Sequence, residues 1–328
     1  MTAAKMLKSG ENDGMMVQKG GESMAYDLTE PLVIGISSRA LFDLERENEI
    51  FEKHGLSAYE TYQVQHEGEV LRRGAAFPLA KALLALNELQ DKRLVEIIVM
   101  SRNSPNTSLR IFNSIKAYGL DITRAALTGG ACIAPYLHAF KTDLFLSANE
   151  KDVRQAINSD VAAGVILTDS YHDDPACPIP QIRIAFDGDA VLFTAEAERV
   201  YRKQGLEAFA AHEREKADIP LGKGPFANFL ATLAHIQSLF SDREDSPIRT
   251  ALVTARNAPA HERAIKTLRN WNIRVDEAFF LGGVSKKEVL SAFGAHIFFD
   301  DQLLHAEPAS QVVPSAVVPY REDDDPTV

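Results

Sequence analysis

Four aspartates in the second half of the chain have the spacing expected of a metal site. Asp187 and Asp189 follow a short apolar run and flank Gly188, which permits a tight turn after the run. Asp300 and Asp301 follow another apolar run later in the chain. Carboxylates that converge at strand ends repel each other unless a cation joins them. An all-oxygen set of this kind suits Mg²⁺, which also binds phosphate oxygens.

The chain contains related segments in its two halves. The pairs occur in the same order and at a nearly constant separation, as a duplication predicts. They are His54–Tyr59 with Gln204–Phe209, Ser101–Pro105 with Ala255–Pro259, Thr128–Gly130 with Leu281–Gly283, and Ala139-Phe140 with Ala292-Phe293.

Each half alternates short apolar runs with segments of helical periodicity. In the second half, an apolar run at 182–186 precedes helical segments near 195–216 and 226–240, and later runs lie at 250–253 and 297–299. This alternation predicts an α/β fold of two Rossmann-like units with parallel sheets. Ligands of such sheets bind at the carboxyl ends of the strands.

The domain boundaries follow from this plan and from composition. They are a mobile N-terminal tail at residues 1–28, an N-terminal α/β repeat at 29–168, a linker rich in Asp and Pro at 169–180, a catalytic α/β repeat at 181–305, and a C-terminal tail at 306–328.

The two halves differ where the aspartates lie. The counterparts of Asp187, Asp189, Asp300 and Asp301 in the first half are Ser37, Arg39, Ser147 and Ala148. Because the first half is expected to fold without these carboxylates, we infer that the second half keeps them for function.

The second half resembles the haloacid dehalogenase-like superfamily. The resemblance is carried by Asp187-Gly-Asp189, Thr254 at a strand end, Lys286 at a helix start, and Asp300-Asp301. It implies that Asp187 is a nucleophile that forms an aspartyl-phosphate and that Asp189 is the general acid and base. It further implies that Thr254 and Lys286 bind phosphate, that Asp187, Asp189 (through its backbone carbonyl) and Asp300 bind Mg²⁺, and that Asp301 supports them. A small helical cap is expected near 194–246.

Longer phrases are similar to the cytosolic 5′-nucleotidase I family and its bacterial relatives. They are Ser37–Asp43, Ser101–Pro105, Gly119–Arg124, Phe186–Leu192 and His296–Gln302. The resemblance implies an enzyme that hydrolyses nucleoside 5′-monophosphates, AMP prominently, to nucleoside and phosphate with Mg²⁺.

Composition excludes several other classes of protein. The net charge of −11 disfavours a nucleic-acid-binding protein, which needs surplus Lys and Arg. Two cysteines do not form a disulfide framework, and no apolar run has the length of a membrane-spanning helix. We expect a cytoplasmic protein that does not bind a membrane, and a homo-oligomer remains open.

Several alternatives remain open at this point. The substrate could be a sugar phosphate or another small phosphomonoester, or the chain could bind nucleotides without catalysis. Lys287 competes with Lys286, and Arg256 and Asn257 are either substrate-binding or structural. In the first half, Ser37, Arg39 and Ser101 either bind a nucleotide or phosphate without cleaving it, or only support the second half.

Overall fold

The computed structural model describes residues 26–168, 181–240 and 246–321. The linker predicted at 169–180 and most of the tail predicted at 1–28 lie outside these ranges. No helix within the described ranges has both the length and the apolar composition needed to span a membrane.

Strands and helices alternate along the described chain. The strands are β1 (Leu32–Ile36), β2 (Phe42–Asp43), β3 (Arg72–Arg73), β4 (Val95–Ser101), β5 (Arg124–Leu127), β6 (Leu144–Ser147), β7 (Ala162–Ile166), β8 (Ile182–Phe186), β9 (Ile248–Thr254), β10 (Glu277–Phe280), β11 (Ile297–Asp300) and β12 (Ser315–Val317). The helices are α1 (Ser38–Leu41), α2 (Glu45–Gln65), α3 (Phe77–Ala85), α4 (Leu109–Ala117), α5 (Ala134–Ala139), α6 (Glu150–Asn158), α7 (Glu196–Glu215), α8 (Ala227–Ser238), α9 (His261–Asn270), α10 (Lys286–Phe293) and α11 (Leu303–Ser310).

Ten of the described strands form one sheet in the order β5-β4-β1-β6-β7-β12-β11-β8-β9-β10. Neighbouring strands run parallel except at β7 and β12, which pair antiparallel in the middle. The prediction of a mostly parallel α/β fold is therefore confirmed. β7 and β12 each complete a half of five strands, and the strands of the two halves follow the same chain order outward from this pair.

The strands that begin each half are apolar runs that are buried from end to end or nearly so. β1 has the sequence LVIGI and is fully buried, and β8 has the sequence IRIAF with only Arg183 partly exposed. Continuous runs of this kind are typical of parallel strands covered on both faces. Because β1 and β8 run parallel to their neighbouring strands, the residues that follow β1 and β8 lie at the same edge of the sheet as the carboxyl ends of those neighbours.

The range predicted as a cap, 194–246, contains two different helices. Helix α7 is mostly exposed or partly exposed, with Ala197, Phe209 and Glu213 buried, and it bends at Gly205. Helix α8 buries Phe229, Leu230 and Leu233 completely or nearly so, and Phe229 packs against Phe186 of β8. Of these two helices, α8 therefore belongs to the core of the second half.

The predicted second unit ends at residue 305, and residues 306–328 are the predicted tail. The structure instead continues helix α11 to Ser310 and adds strand β12 between β11 and β7. β12 has only three residues, Ser315, Ala316 and Val317. This length and its small side chains left no recognisable strand pattern, and β7 (AAGVI) was missed because it begins with three small residues.

Candidate active site

The sequence-predicted residues lie at the carboxyl ends of three neighbouring parallel strands. Asp187 directly follows β8, Thr254 ends β9, and Asp300 ends β11. β8 lies between the other two strands, so all three ends meet at one edge of the sheet. This is the edge at which open parallel sheets bind ligands.

Lys286, the first residue of α10, lies between two of the aspartates. Its Nζ donates to Asp187 Oδ1 at 2.6 Å and to Asp300 Oδ2 at 2.7 Å, and all three side chains are buried. Lys287 points elsewhere, since its Nζ donates to Gln311 Oε1 at 2.7 Å on the surface. Of the two lysines left open by the sequence, only Lys286 reaches the carboxylates.

Three carboxylates form a group that fits a metal ion. One oxygen each of Asp187, Asp300 and Asp301 lies within 4.8 Å of the others. The Oδ1 atom of Asp301 is buried and has no hydrogen-bond partner among the described residues. An unpartnered buried carboxylate oxygen is costly unless a cation binds it. The donor set is all oxygen, which suits Mg²⁺.

The pKa shifts in this group have the same cause. Burial raises the pKa of Asp187 to about 7, against the lowering effect of Lys286 and with repulsion from Asp300. Burial, with repulsion from Asp187 and Asp300, also raises the pKa of Asp301. Lys286 alone does not balance three carboxylates, so the group requires further positive charge to stay ionised.

The side chain of Asp189 lies outside the carboxylate group because Arg256 binds both of its oxygens. Arg256 donates through Nε to Asp189 Oδ2 at 2.8 Å and through Nη2 to Oδ1 at 2.6 Å. Its Nη1 donates to Glu213 of α7, which also accepts from Arg263 at 2.8 Å. Burial alone would lower the pKa of Arg256, but Asp189 and Glu213 together raise it.

This arrangement bears on two residues named from the sequence. Arg256 is buried and its donors are taken by Asp189, Glu213 and the Ala260 carbonyl oxygen. Asn257 is exposed at the rim, beside Gly282 of the loop after β10. The structure thus brings Arg256 to the site through Asp189 and leaves Asn257 facing solvent.

Thr254 lies beside the turn that carries Asp187 and Asp189. Its Oγ1 accepts the backbone N–H of Arg256 at 3.2 Å. A Cβ added to Gly188 would lie 3.2 Å from this oxygen, so Gly188 lets the turn approach the end of β9 closely. The hydroxyl of Thr254 therefore lies close to the turn formed by Asp187, Gly188 and Asp189.

Sequence reasoning missed three participants that come from distant elements. Tyr320 donates its hydroxyl to Asp301 Oδ2, and Arg202 of α7 donates to the Tyr320 oxygen at 3.2 Å. Glu213 lies in the last turn of α7 and is completely buried. The one sequence signal for Glu213 is its place in the repeat, where Gln63 is its counterpart.

The loop after β4 in the first half and the loop after β9 in the second make the same hydrogen bond from a backbone N–H to a side-chain hydroxyl. Asn103 N–H donates to Ser101 Oγ at 3.2 Å, just as Arg256 N–H donates to Thr254 Oγ1. The strands therefore match Ser101 with Thr254 and Asn103 with Arg256. The alignment of Ser101–Pro105 with Ala255–Pro259 is therefore shifted by one residue relative to the structure. The reason is that Ala255 stands between the end of β9 and Arg256, whereas Arg102 directly follows β4.

Comparison with known proteins identifies the family. A sequence model described as 5′-nucleotidase matches residues 24–325. Human cytosolic 5′-nucleotidase 1B is 38% identical over 291 residues, which cover 86% of this chain and 47% of that protein. The chain therefore spans about half the length of this curated relative.

Solved structures give weaker matches, with TM-scores too low to support an argument. A chain of the Pnkp1/Rnl/Hen1 complex has a TM-score of 0.32 at 12% identity, covering 89% of this chain and 97% of that one. A functionally unknown protein from Pseudomonas aeruginosa PAO1 has a TM-score of 0.31 at 9% identity, covering 92% and 95%. The family match spans nearly the whole chain, with the carboxylates at the strand ends inside it, and we conclude that the chain belongs to the 5′-nucleotidase family.

Proposed function

We propose that this chain hydrolyses nucleoside 5′-monophosphates such as AMP to nucleoside and phosphate, with Mg²⁺ and through an aspartyl-phosphate. The observation that carries the proposal is the buried group of Asp187, Asp300, Asp301 and Lys286 at the strand ends. Family membership supports the substrate class, as does the name of the human relative. That name also supports a cytoplasmic location.

Asp187 is the nucleophile in this mechanism. Its carboxylate oxygen attacks phosphorus, the bond from phosphorus to the 5′-oxygen breaks, and an aspartyl-phosphate forms. Water then attacks the same phosphorus, releasing inorganic phosphate and restoring Asp187. Lys286 supports this role because its ammonium, 2.6 Å from Asp187 Oδ1, favours the ionised carboxylate.

Asp189 transfers the protons in both steps. It protonates the leaving 5′-oxygen and later removes a proton from the attacking water. Both of its oxygens accept from Arg256 in the structure. Proton transfer therefore requires Asp189 to release one oxygen from Arg256, which makes Arg256 a positioning residue for the acid and base.

Asp187, Asp300 and the Asp189 backbone carbonyl would hold Mg²⁺, and the unpartnered oxygen of Asp301 adds a donor beside them. Bound there, Mg²⁺ supplies positive charge that neutralises the charge developing on the phosphoryl group. The side chains of Thr254 and Lys286 bind the phosphate oxygens. Asn257, exposed at the rim, is available to contact the nucleoside.

We further propose that the two halves arose by duplication and that only the second is catalytic. The repeated strand order supports this, as do the glycine bends in α2 and α7, where Gly55 and Gly205 have nearly the same φ and ψ. The N-terminal unit corresponds to residues 29–168. The catalytic unit begins at residue 181 and extends past 305 through β12. Helix α7 alone, rather than the whole range 194–246, forms the cap over the site.

The test is phosphate release from a panel of monophosphates. We expect turnover of AMP and related nucleotides with Mg²⁺, loss of turnover in EDTA, and little release from sugar phosphates. Preference for a sugar phosphate would replace the substrate class, and no release from any compound would leave a binding protein.

The nucleophile is tested by Asp187→Asn, with Ser37→Ala as the matched change in the first half. We expect Asp187→Asn to lower kcat by at least about a thousandfold without loss of the folded state, because no bond to phosphorus can form. Ser37→Ala should keep normal turnover. Normal turnover of Asp187→Asn would contradict the proposed role of Asp187.

A further inference from the structure

The first half contains a cavity of about 550 Å³ at the carboxyl ends of its own strands. Ser37 after β1, Ser101 at the end of β4 and Ser147 at the end of β6 form its floor. These strands occupy the same places in the sheet order as β8, β9 and β11 around the carboxylate group. The volume lies in the range of small-molecule sites, about 300 to 1,000 Å³.

Helix α2 supplies the opposite wall with apolar and aromatic side chains. Phe51 and Tyr59 make an edge-to-face contact at 6.0 Å between ring centroids, and Leu56 lies beside them in the lining. Phe51 and Leu56 are about half exposed, so they remain available to a ring-bearing ligand. The cavity thus combines a polar floor with an apolar wall.

Most charged groups of the cavity are paired with groups of opposite charge. The exception is Glu60, a lining carboxylate that has no ion-pair partner among the described residues. Arg39 binds Glu45 at 2.9 Å, Arg102 binds Asp152 at 2.5 Å, and Glu47 binds Arg110 at 2.6 Å. The carboxylates that would bind a metal are replaced by Ser37, Ser147 and Ala148. A phosphate dianion would therefore find neither a metal site nor an unpaired cation among these groups.

Two buried donors of the cavity nevertheless lack partners among the described residues. They are Nε of Arg39 and Nδ2 of Asn103. The Oδ1 atom of Asn103 is already used, since it accepts from Tyr59 at 3.2 Å. Buried donors without acceptors are costly, so the cavity calls for a ligand with uncharged acceptors such as hydroxyl oxygens or ring nitrogens.

We propose that this cavity is a second ligand site that binds an uncharged nucleoside, without metal and without turnover. The sugar hydroxyls and ring nitrogens would accept from Asn103 and Arg39, and the base would pack against Phe51 and Leu56. The choice of a nucleoside among uncharged ring compounds rests on the function proposed for the second half, whose product it is.

The test measures adenosine binding to the full chain in EDTA by equilibrium dialysis. Asn103→Leu removes the unpartnered donor at similar volume, and Leu56→Asp places a charge on the apolar wall at an exposed position. We expect each to weaken adenosine binding by about tenfold, after thermal melting shows that the variant is folded. Leu206→Asp, the matching change in α7, should leave adenosine affinity unchanged.

Competing ligands test the uncharged character of the site. We expect AMP to bind at least about tenfold more weakly than adenosine in EDTA, because the cavity offers no net positive charge to the phosphate. Inorganic phosphate should not displace adenosine. The proposal is overturned if AMP binds more tightly, if phosphate displaces adenosine, if adenosine does not bind, or if Leu206→Asp alone weakens binding.

Phosphate release separates this proposal from the function of the second half. Asn103→Leu and Leu56→Asp should hydrolyse AMP at the normal rate with Mg²⁺ when adenosine is absent. If the chain releases no phosphate yet binds adenosine through Asn103 and Leu56, the proposed function fails and the second site stands. If AMP is hydrolysed but adenosine affinity is unchanged in both variants, the second site fails alone.

Discussion

At the scale of single residues, the site is organised by unequal numbers of buried charges. Lys286 donates to Asp187 and Asp300, while Asp301 keeps one oxygen without a partner among the described residues. The next charges outward are balanced, since Arg256 binds Asp189 and Glu213 and Arg263 also binds Glu213. Among these groups, charge is therefore left uncompensated where a cation is expected to bind.

The role of Arg256 is tested by Arg256→Lys, which keeps the charge but loses the two-point contact with Asp189. Because Asp189 would be less well oriented, we expect kcat for AMP to fall by about 10- to 100-fold. KM should change by less than about threefold, since the donors of Arg256 are already taken by Asp189, Glu213 and the Ala260 carbonyl oxygen. Steady-state kinetics measure both constants.

Arg102→Lys is the matched control for this prediction, because Arg102 belongs to the corresponding loop of the first half. It should leave AMP kinetics unchanged. A large rise in KM with normal kcat in Arg256→Lys would instead mean that Arg256 binds substrate directly.

At the scale of elements, the bent helix α7 connects the outer parts of the site. Before the bend, Arg202 contacts Tyr320, the partner of Asp301. After the bend, Glu213 contacts Arg256. Gly205 lies at the bend with φ 82° and ψ −178°, a conformation that is essentially restricted to glycine. The bend thus sets the positions of both contacts.

Gly205→Ala and Gly55→Ala form a matched pair that tests the bend. Neither added Cβ would meet an atom within 4 Å, so the cost is conformational, about 1 to 3 kcal/mol of unfolding free energy in each case. We expect only Gly205→Ala also to lower kcat, because only α7 contacts Arg256 and Tyr320. Urea denaturation and AMP kinetics measure the two effects, and equal kinetics in both variants would contradict this role of α7.

A second element-scale prediction concerns His296, which precedes β11. Its Nδ1 accepts the N–H of Arg183 in β8 at 2.8 Å, and burial together with the charge of Arg183 lowers its pKa to about 4. The unfolded chain has a His pKa of about 6.5, so it binds more protons than the folded chain between these values. Stability from neutral His296 is complete above pH 6.5 and is lost as the pH falls towards 4.

The His296→Asn variant isolates this effect, since its amide oxygen can accept the same N–H without titrating. Between pH 7 and pH 4, we expect the wild-type chain to lose about 2 kcal/mol more unfolding free energy than the variant, allowing for partial exposure. Urea denaturation at both pH values gives the difference. Identical pH dependence in the two proteins would mean that His296 protonates normally in the folded state.

At the scale of the whole molecule, one antiparallel strand pair makes a continuous sheet from two parallel halves. β7 and β12 pair through Ile166 with Ala316 and Val165 with Val317. Gly164 of β7 lies against the second half so closely that an added Cβ would be 2.9 Å from Ala316 Cβ. The two halves therefore share a close-packed junction, and we expect them to unfold together.

Gly164→Ala tests the junction, with Gly68→Ala as the control at an exposed position with no atom within 4 Å. Overpacking at Gly164 should lower the unfolding free energy by about 1 to 3 kcal/mol, while the control should change it by less than about 1 kcal/mol. Chemical denaturation followed by fluorescence measures both. Equal stability of the two variants would show that the junction tolerates the added methyl group.

Local patterns in the sequence were sufficient to predict the parallel sheet and the residues that end its strands. Apolar runs predicted β8, β9 and β11, and polar residues directly after such runs must lie at one edge of a parallel sheet. Asp187 and Asp300 could be selected for this reason, whereas Thr254 was selected through the family resemblance. Lys286 required the family resemblance as well, because Lys287 has the same local pattern.

Only the tertiary structure decided which charges meet across distant elements. Glu213 reaches Arg256, and Tyr320 reaches Asp301, through the packing of α7 and of the segment after β12. Such contacts depend on where whole elements lie, and residue spacing along the chain carries no information about that. β7 and β12 escaped prediction because short strands rich in small residues are stabilised by their neighbours rather than by their own composition.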